Sequence, residues 1–240
     1  MRRIVPLALA LAALGYGPAA RANGTVSSEQ GTPTRDVALR GYPIDLRKFK
    51  VLERDSGPRN YYRNMSEAEG RFIRGVYNPS LQTVTLFAEM PDELRRGVRS
   101  LRFRWRALVL PRGGNECLPG YGDSAANVYL AWKRGLRWYS LKLVWSTDAA
   151  AGESCTGARN PFVASDSIVL RGGGPIGVWH EEEVDPDVLF RAHFEGGRAD
   201  AEVPELQGIG ILTDGDQTQS VSAADFGGFV LYKAERTASR

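Results

Sequence analysis

A chain of 240 residues, 42% of them hydrophobic and 25% charged, is long enough for one large domain or two small ones, and too apolar to be wholly disordered. The formal net charge is +3, but three arginines and no acidic residue lie within residues 1–22. The rest of the chain therefore has 28 basic and 28 acidic residues, a balance that gives no support for nucleic acid or an anionic membrane as a partner.

The N-terminal segment has the three parts of a secretory signal peptide. Arginines occupy positions 2 and 3, residues 4–14 are apolar, and an A-x-A pattern ends at Ala22. The apolar run is shorter than the roughly 20 residues that span a bilayer, and no later segment is apolar enough to span one. The sequence predicts cleavage near Ala22, a flexible arm over 23–35 and a single domain over 36–236, placed in the periplasm or outside the cell.

Short segments that alternate between apolar and polar residues follow, separated by turn residues. Period two is typical of a half-buried strand. The clearest case, 101–108, has Leu, Phe, Trp and Ala on one face and, in its first half, arginines on the other. Residues 128–132 and 138–145 are predicted to form a hairpin. The other predicted strands are 49–52, 72–76, 84–87, 167–170, 178–184, 208–213 and 229–232.

One helix is predicted from position 186 onward. Asp185 is a suitable N-cap, Pro186 suits the first turn, and two glycines at 196–197 end the helix. The residues predicted to share one face are Val188, Leu189, Ala192 and His193. About ten short strands with one brief helix, and no alternation of strand and helix, predict an all-β fold, a jelly-roll-type β-sandwich.

The two cysteines, Cys117 and Cys155, both lie in glycine-containing loop sequence. In an exported chain, a single pair of cysteines favours one disulfide over two separate thiols.

From about residue 101 to 232, the order of motifs resembles a secreted bacterial domain family whose function is not established. The motifs that carry the resemblance are Phe-Arg-Trp-Arg at 103–106, Asp123 before Asn-Val-Tyr-Leu at 127–130, Lys-Leu-Val-Trp at 142–145, Asn-Pro-Phe at 160–162, Trp179 before Asp-Pro at 185–186, and 208–216. The resemblance implies a galactose-binding-like β-sandwich and, with it, carbohydrate recognition. The sequence departs from that family at Asn127, where arginine is usual, and at 214–217, where a run ending in asparagine is usual.

Polar residues near the ends of the predicted strands are the candidate ligand-binding residues. We expect them to line one loop end of the sandwich, with an exposed aromatic ring that stacks on the face of a sugar. The candidates are Tyr121, as the stacking ring, with Asp123, Asn127, Tyr129, Asp214 and Asp216. Trp105 and Trp179 are predicted to belong to the core, whereas Tyr129 and Trp132 should lie on opposite sides of their strand.

An acidic stretch at 214–218 resembles part of a calcium-binding loop. Asp214, Asp216 and Asp225 have the spacing of oxygen ligands in such a loop, and they are the candidate metal ligands, with calcium as the candidate cofactor. However, Gln219 occupies the position where that loop needs glycine. An ordinary Asp-Gly turn after the preceding strand is the alternative.

The arginines at 102, 104 and 106 place like charges on one strand face, which is unfavourable unless they are paired. Acidic residues at 181–183 would pair them; the alternative is an anionic ligand.

Familiar catalytic patterns are missing from the sequence. There is no G-x-S-x-G motif, and the two histidines do not have zinc-site spacing. Three functions remain open: a non-catalytic module that binds carbohydrate or another cell-envelope component, a glycan hydrolase or lyase, and a purely structural envelope protein. The hydrolase or lyase would use paired carboxylates, such as Asp214 with Asp216 or Glu182 with Asp123.

Overall fold

The computed structural model describes residues 38–51 and 59–235. The predicted signal peptide and arm lie outside the described residues. The strands are β1 Leu39–Pro43, β2 Lys50–Val51, β3 Tyr62–Glu67, β4 Gly70–Tyr77, β5 Leu86–Glu89, β6 Val98–Val109, β7 Ala126–Arg134, β8 Arg137–Ser146, β9 Ser154–Arg159, β10 Val163–Gly172, β11 His180–Val184, β12 Glu205–Leu212 and β13 Ser222–Ala234. The helix α1 is Pro186–Phe194, and two short 3-10 helices are Leu46–Lys48 and Asp92–Leu94.

The strands form two sheets that pack face to face. The first sheet has the order β11-β6-β13-β4-β3, with β1 also paired to β13, and the second has the order β2-β5-β12-β7-β8-β10-β9. All pairs are antiparallel except β8 with β10. This is the jelly-roll-type β-sandwich that the strand pattern predicts. Within the described residues, no helix is long and apolar enough to cross a bilayer.

The core lies between the two sheets and is built by strict alternation. In β6, Leu101, Phe103 and Trp105 are fully buried while the intervening arginines face outward. Trp132 and Leu141 of the second sheet belong to the same core. The alternation predicted for 101–108 and the predicted hairpin of β7 and β8 are both confirmed.

The helix begins where it is predicted but buries a different face. The Asp185 carboxylate accepts the backbone N–H groups of Asp187 and Val188 at 2.8 and 3.0 Å, as an N-cap should. Pro186 and Phe190 are buried, whereas Val188 is 58% exposed. Of the four residues predicted to share a face, Leu189 and His193 are half-buried, but Val188 and Ala192 are exposed, because the helix packs mainly through positions 186, 190 and 194.

Three of the strands are not predicted from the sequence pattern. Strands β1, β3 and β9 are mostly exposed, so they have no regular apolar face to reveal them. Strand β13 also begins earlier than predicted, at Ser222, because its first half contains Asp225 and two glycines. These residues are ordinarily disfavoured in strands.

Candidate functional site

Two loops meet at one end of the sandwich. We call residues 111–125 the covering loop and residues 213–221 the acidic loop. The covering loop contains Cys117, which forms a disulfide with Cys155 of β9 with the two Cα atoms 5.4 Å apart. The predicted disulfide is confirmed. It ties the covering loop to the edge of the second sheet.

Hydrogen bonds lock the two loops together. The Asp123 carboxylate accepts the backbone N–H groups of Gln217 and Thr218 at 3.2 and 2.6 Å. The backbone N–H of Ser124 donates to Asp214 Oδ1 at 3.1 Å. The backbone N–H of Gly122 donates to Gln217 Oε1 at 3.1 Å. Because the carboxylate acceptors are buried, these charge-assisted bonds hold the loop end in one conformation.

Three carboxylates converge where the loops meet. Asp123, Asp214 and Asp216 each offer an oxygen within 4.8 Å of the others. Asp123 is fully buried and Asp214 is 5% exposed, whereas Asp216 is exposed. Burial, reinforced by Glu116, raises the pKa of Asp214 well above its usual range, and burial together with Asp123 raises the pKa of Asp216. These three side chains are the ones that could hold a hard cation such as calcium.

Asp225, the third predicted metal ligand, does not join them. It lies in β13 on the outer face of the first sheet, where it is fully buried. Its Oδ1 accepts from Arg74 Nε at 2.7 Å, and its Oδ2 accepts from Arg106 Nε at 2.6 Å. Asp214, Asp216 and Asp225 therefore do not come together as the predicted set of calcium ligands, because strand β13 carries Asp225 away from the acidic loop.

Replacing Asp214 with asparagine is expected to stabilise the fold near neutral pH by about 1 kcal/mol, whereas alanine is expected to destabilise it by about the same amount. Asparagine keeps the oxygen that accepts from Ser124 and removes a charge. Because folding raises the pKa of Asp214 above 3.8, the contribution of this carboxyl to stability is greatest below that pH and is lost as the pH rises through the raised pKa. Urea unfolding across this range, in chelator, measures the effect.

The exposed Asp148 provides the control, because Asp148→Asn removes the same charge without a buried partner and should leave stability unchanged. A wild type that remains more stable than Asp214→Asn at neutral pH would contradict the expected repulsion. Repeating the series with calcium tests the cation prediction. A bound ion should stabilise the wild type and abolish the advantage of the asparagine variant.

A second polar cluster lies beneath the covering loop, on the outer face of the second sheet. Lys142 Nζ contacts Glu116 Oε2 at 2.9 Å, and Ser124 Oγ lies 2.8 Å from Glu116 Oε1 and 2.7 Å from Asn127 Oδ1. Burial alone would lower the pKa of Lys142, but Glu116 and Tyr129 raise it well above its ordinary value. Glu116 and Lys142 are not among the site residues predicted from the sequence. The one signal in the sequence is a lysine between two apolar residues of a central strand.

The aromatic candidates separate into core, covered and exposed rings. Trp105 and Trp132 are fully buried in the core, and Tyr129 faces the other side, as predicted, but is only 5% exposed. Tyr121 is 48% exposed, as expected for a loop ring. The prediction for Trp179 is wrong: it packs outside the core, with the guanidinium carbons of Arg104 and Arg106 4.5 and 4.6 Å from its ring centroid.

The arginine stripe is largely neutralised by the protein itself. Arg102 Nη2 lies 2.9 Å from Glu183 Oε2, in agreement with the predicted pairing. Arg106 pairs with Asp225 and Glu67, and Arg104 donates to the backbone oxygen of Glu69 at 2.6 Å. Arg102 and Arg106 therefore need no anionic ligand to balance their charge.

Five of the six predicted ligand-binding residues lie at the loop end, in the two polar clusters described above: Asp123, Asn127, Tyr129, Asp214 and Asp216. Four of them are buried, so only Asp216 of these five can meet a ligand from solvent. Tyr121 lies in the same covering loop and is open to solvent. The carboxylate of Glu182 is engaged by Arg171 at 2.5 Å and by the Trp105 indole at 2.9 Å, so it is not a free partner for Asp123.

The solved structures that the chain resembles are distant in sequence. A family 11 carbohydrate-binding module from Clostridium thermocellum, in complex with a β-1,3-1,4-mixed-linked tetrasaccharide, is 10% identical, covers 82% of this chain and 89% of its own, and gives a TM-score of 0.37. The xyloglucanase domain of NopAA, a type three effector from Sinorhizobium fredii, is 10% identical, with coverages of 78% and 98% and a TM-score of 0.40. Endoglucanase 3 of Trichoderma harzianum, from family GH12, is 8% identical, with coverages of 84% and 100% and a TM-score of 0.40.

No curated protein matches the chain. The resemblance found in the motif order is confirmed by a family model: the family described as "Protein of unknown function (DUF3047)" matches residues 58–230, most of the chain, and the protein belongs to that family.

Proposed function

We propose that this protein is a non-catalytic module that binds a glycan or another carbohydrate component of the cell envelope on the surface around Tyr121. The observation that carries the proposal is the half-exposed Tyr121 ring on the covering loop, which the buried carboxylate of Asp123 locks to the acidic loop. A flat ring stacks on the C–H face of a sugar while neighbouring polar groups bond its hydroxyls.

The neighbourhood of the ring supplies those polar groups. Gly122, the residue after Tyr121, donates its backbone N–H to the Gln217 side chain. Asp216, the residue before Gln217, has an exposed carboxylate. Because both loops are already ordered by hydrogen bonds, binding pays little conformational entropy. A preorganised surface of this kind suits recognition.

The carboxylates favour binding over hydrolysis. Glycoside hydrolysis generally needs two carboxyl groups that both reach the scissile bond. Here, both oxygens of Asp123 accept backbone N–H groups and Asp214 is 5% exposed, so Asp216 is the accessible member of the three converging carboxylates. The predicted export accompanies the proposal, because the Cys117–Cys155 disulfide suits an oxidising compartment such as the periplasm or the extracellular space.

Replacing Tyr121 with alanine is expected to weaken glycan binding about tenfold or more without lowering the melting temperature, because an exposed stacked ring contributes roughly 1–2 kcal/mol to the complex and little to the fold. Thermal denaturation against a glycan panel finds the ligand, and calorimetry then measures the affinities. Phe162, 62% exposed in the turn before β10, provides the control variant Phe162→Ala.

Equal loss of affinity in both variants, or none in Tyr121→Ala, would exclude the Tyr121 surface. Turnover of the bound glycan with a bell-shaped pH–rate profile would instead favour the hydrolase or lyase. No thermal shift with any glycan would favour a structural envelope role.

A further inference from the structure

An open cleft with a volume of about 360 Å³ lies at the loop end. Its apolar wall includes Pro79, Val109 and Val221, and its polar wall includes Arg112 and Gln219. Small-molecule sites range from roughly 300 to 1,000 Å³, so the cleft has room for a compact group. None of the residues predicted from the sequence lines it.

The apolar wall belongs to a patch of exposed valines where the interior strands β4, β6 and β13 of the first sheet meet the loop end. Val76 of β4 and Val109 of β6 both pair with Ala223 of β13, one from each side. Val221 precedes Ala223 by two residues and is 44% exposed; Val76 and Val109 are 47% and 40% exposed. Contiguous exposed apolar surface beside a cleft is typical of a binding site.

Arg112 supplies a positive charge at the rim. Among the described residues, no carboxylate lies within 4.0 Å of its guanidinium, in contrast to Arg102 and Arg106. Its backbone N–H is nevertheless fixed by Ser220 Oγ at 3.1 Å. A free guanidinium beside apolar surface suits a planar carboxylate, which it can bind bidentately.

Gln219 holds a strained backbone on the opposite rim. Its φ of 49° makes it the one non-glycine residue with positive φ in the described parts of the chain. Its amide donates to the backbone oxygen of Asp216, and the N–H of Ser220 bonds Gly215 at 3.0 Å. Such conformations cost energy, and they cluster at ligand-binding and catalytic positions. The Gln219 side chain is thereby held at the cleft.

Arg112, which lines the cleft, and Tyr121 both belong to the covering loop. A Cβ placed on Gly113, the residue after Arg112, would lie 3.6 Å from the Tyr121 ring. A chain of sugars could therefore contact both places.

From these observations we infer that the cleft binds a hexuronic acid residue of the glycan, with its carboxylate on Arg112, its C–H face on Val109 and Val221, and a hydroxyl on Gln219. The inference rests on the proposed function and specifies its ligand class as an acidic glycan.

Calorimetry of the full chain with tetragalacturonate and tetramannuronate, and with their carboxyl-reduced forms tetragalactose and tetramannose, tests the inference. At least one uronate should bind roughly tenfold more tightly than its reduced form, and added salt should reduce this preference. Arg112→Gln should weaken uronate binding by about tenfold or more, as for a lost charged hydrogen bond, and leave binding of the reduced form unchanged. Arg99→Gln removes the same charge at the other end of β6 and should change neither.

Failure has distinct signatures. Equal binding of acidic and reduced glycans, with Arg112→Gln like the wild type, overturns the uronate site and leaves the proposed function standing. No binding of any of the four overturns the inference, and the Tyr121 glycan panel then decides the proposed function separately. Binding of a glutamate heptapeptide as tightly as the uronates would assign the cleft to acidic peptides instead.

Val221→Ser should weaken the binding of both the acidic and the reduced sugar, because it alters the apolar wall that both of them contact.

Discussion

Replacing Asp225 with alanine is expected to destabilise the fold by about 3–5 kcal/mol, the cost of removing one partner of a buried ion pair. The Asp225 side chain is fully buried, and Arg74 and Arg106 are only 28% and 12% exposed. Without the carboxylate, two guanidinium groups face each other across the centre of the first sheet. Of the residues that the structure describes, only Glu67, which contacts both at 3.5 and 2.8 Å, remains to offset their charge.

Thermal and urea unfolding measure this effect. For a domain of this size, each kcal/mol lowers the melting temperature by roughly 2–4 °C, so Asp225→Ala should melt about 6 °C or more below the wild type. Glu183→Ala is the matched control, because the Arg102–Glu183 pair lies on the same sheet face with both side chains about half exposed. Such surface pairs contribute at most about 1 kcal/mol. Similar losses in both variants would contradict the importance given to burial.

Removing the disulfide by replacing Cys117 and Cys155 with serine is expected to cost about 4 kcal/mol. The two cysteines are 38 residues apart, and closing a loop of this length restricts the unfolded chain by about that amount in the chain-entropy model. A local effect should accompany the global one. Glu116, next to Cys117, contacts Lys142 beneath the covering loop, so a freed loop should also loosen this buried pair.

Two measurements separate the global effect from the local one. Urea unfolding of the double-serine variant, and of the wild type with and without reductant, gives the change in free energy. Native-state hydrogen exchange at the Gly122 and Ser124 amides, which donate across the loop end, reports local opening. Unchanged exchange at these amides together with the expected global loss would show that the locked loops hold without the disulfide. A loss near zero would contradict the entropic argument.

The sequence by itself determined the parts of this protein that depend on neighbours along the chain. Alternation in β6 is decided by which residues face the core, so Phe103 and Trp105 could be placed without a partner strand. The β7–β8 hairpin and the Asp185 cap follow from short-range turn and capping chemistry. The disulfide could be predicted because the chain has just two cysteines and because the predicted compartment is oxidising.

Tertiary structure alone decided which polar residues are available. Asp225 and Arg74 are 151 residues apart in sequence, and no local pattern could pair them in place of the calcium ligands suggested by spacing. Tyr129 and Asn127 face outward on their strand, yet the covering loop buries them. The cleft of Arg112, Gln219 and the valines exists only because the ends of β4 and β6 and the start of β13 lie side by side. Burial, charge pairing and clefts arise between segments distant in sequence, so only the assembled sandwich reveals them.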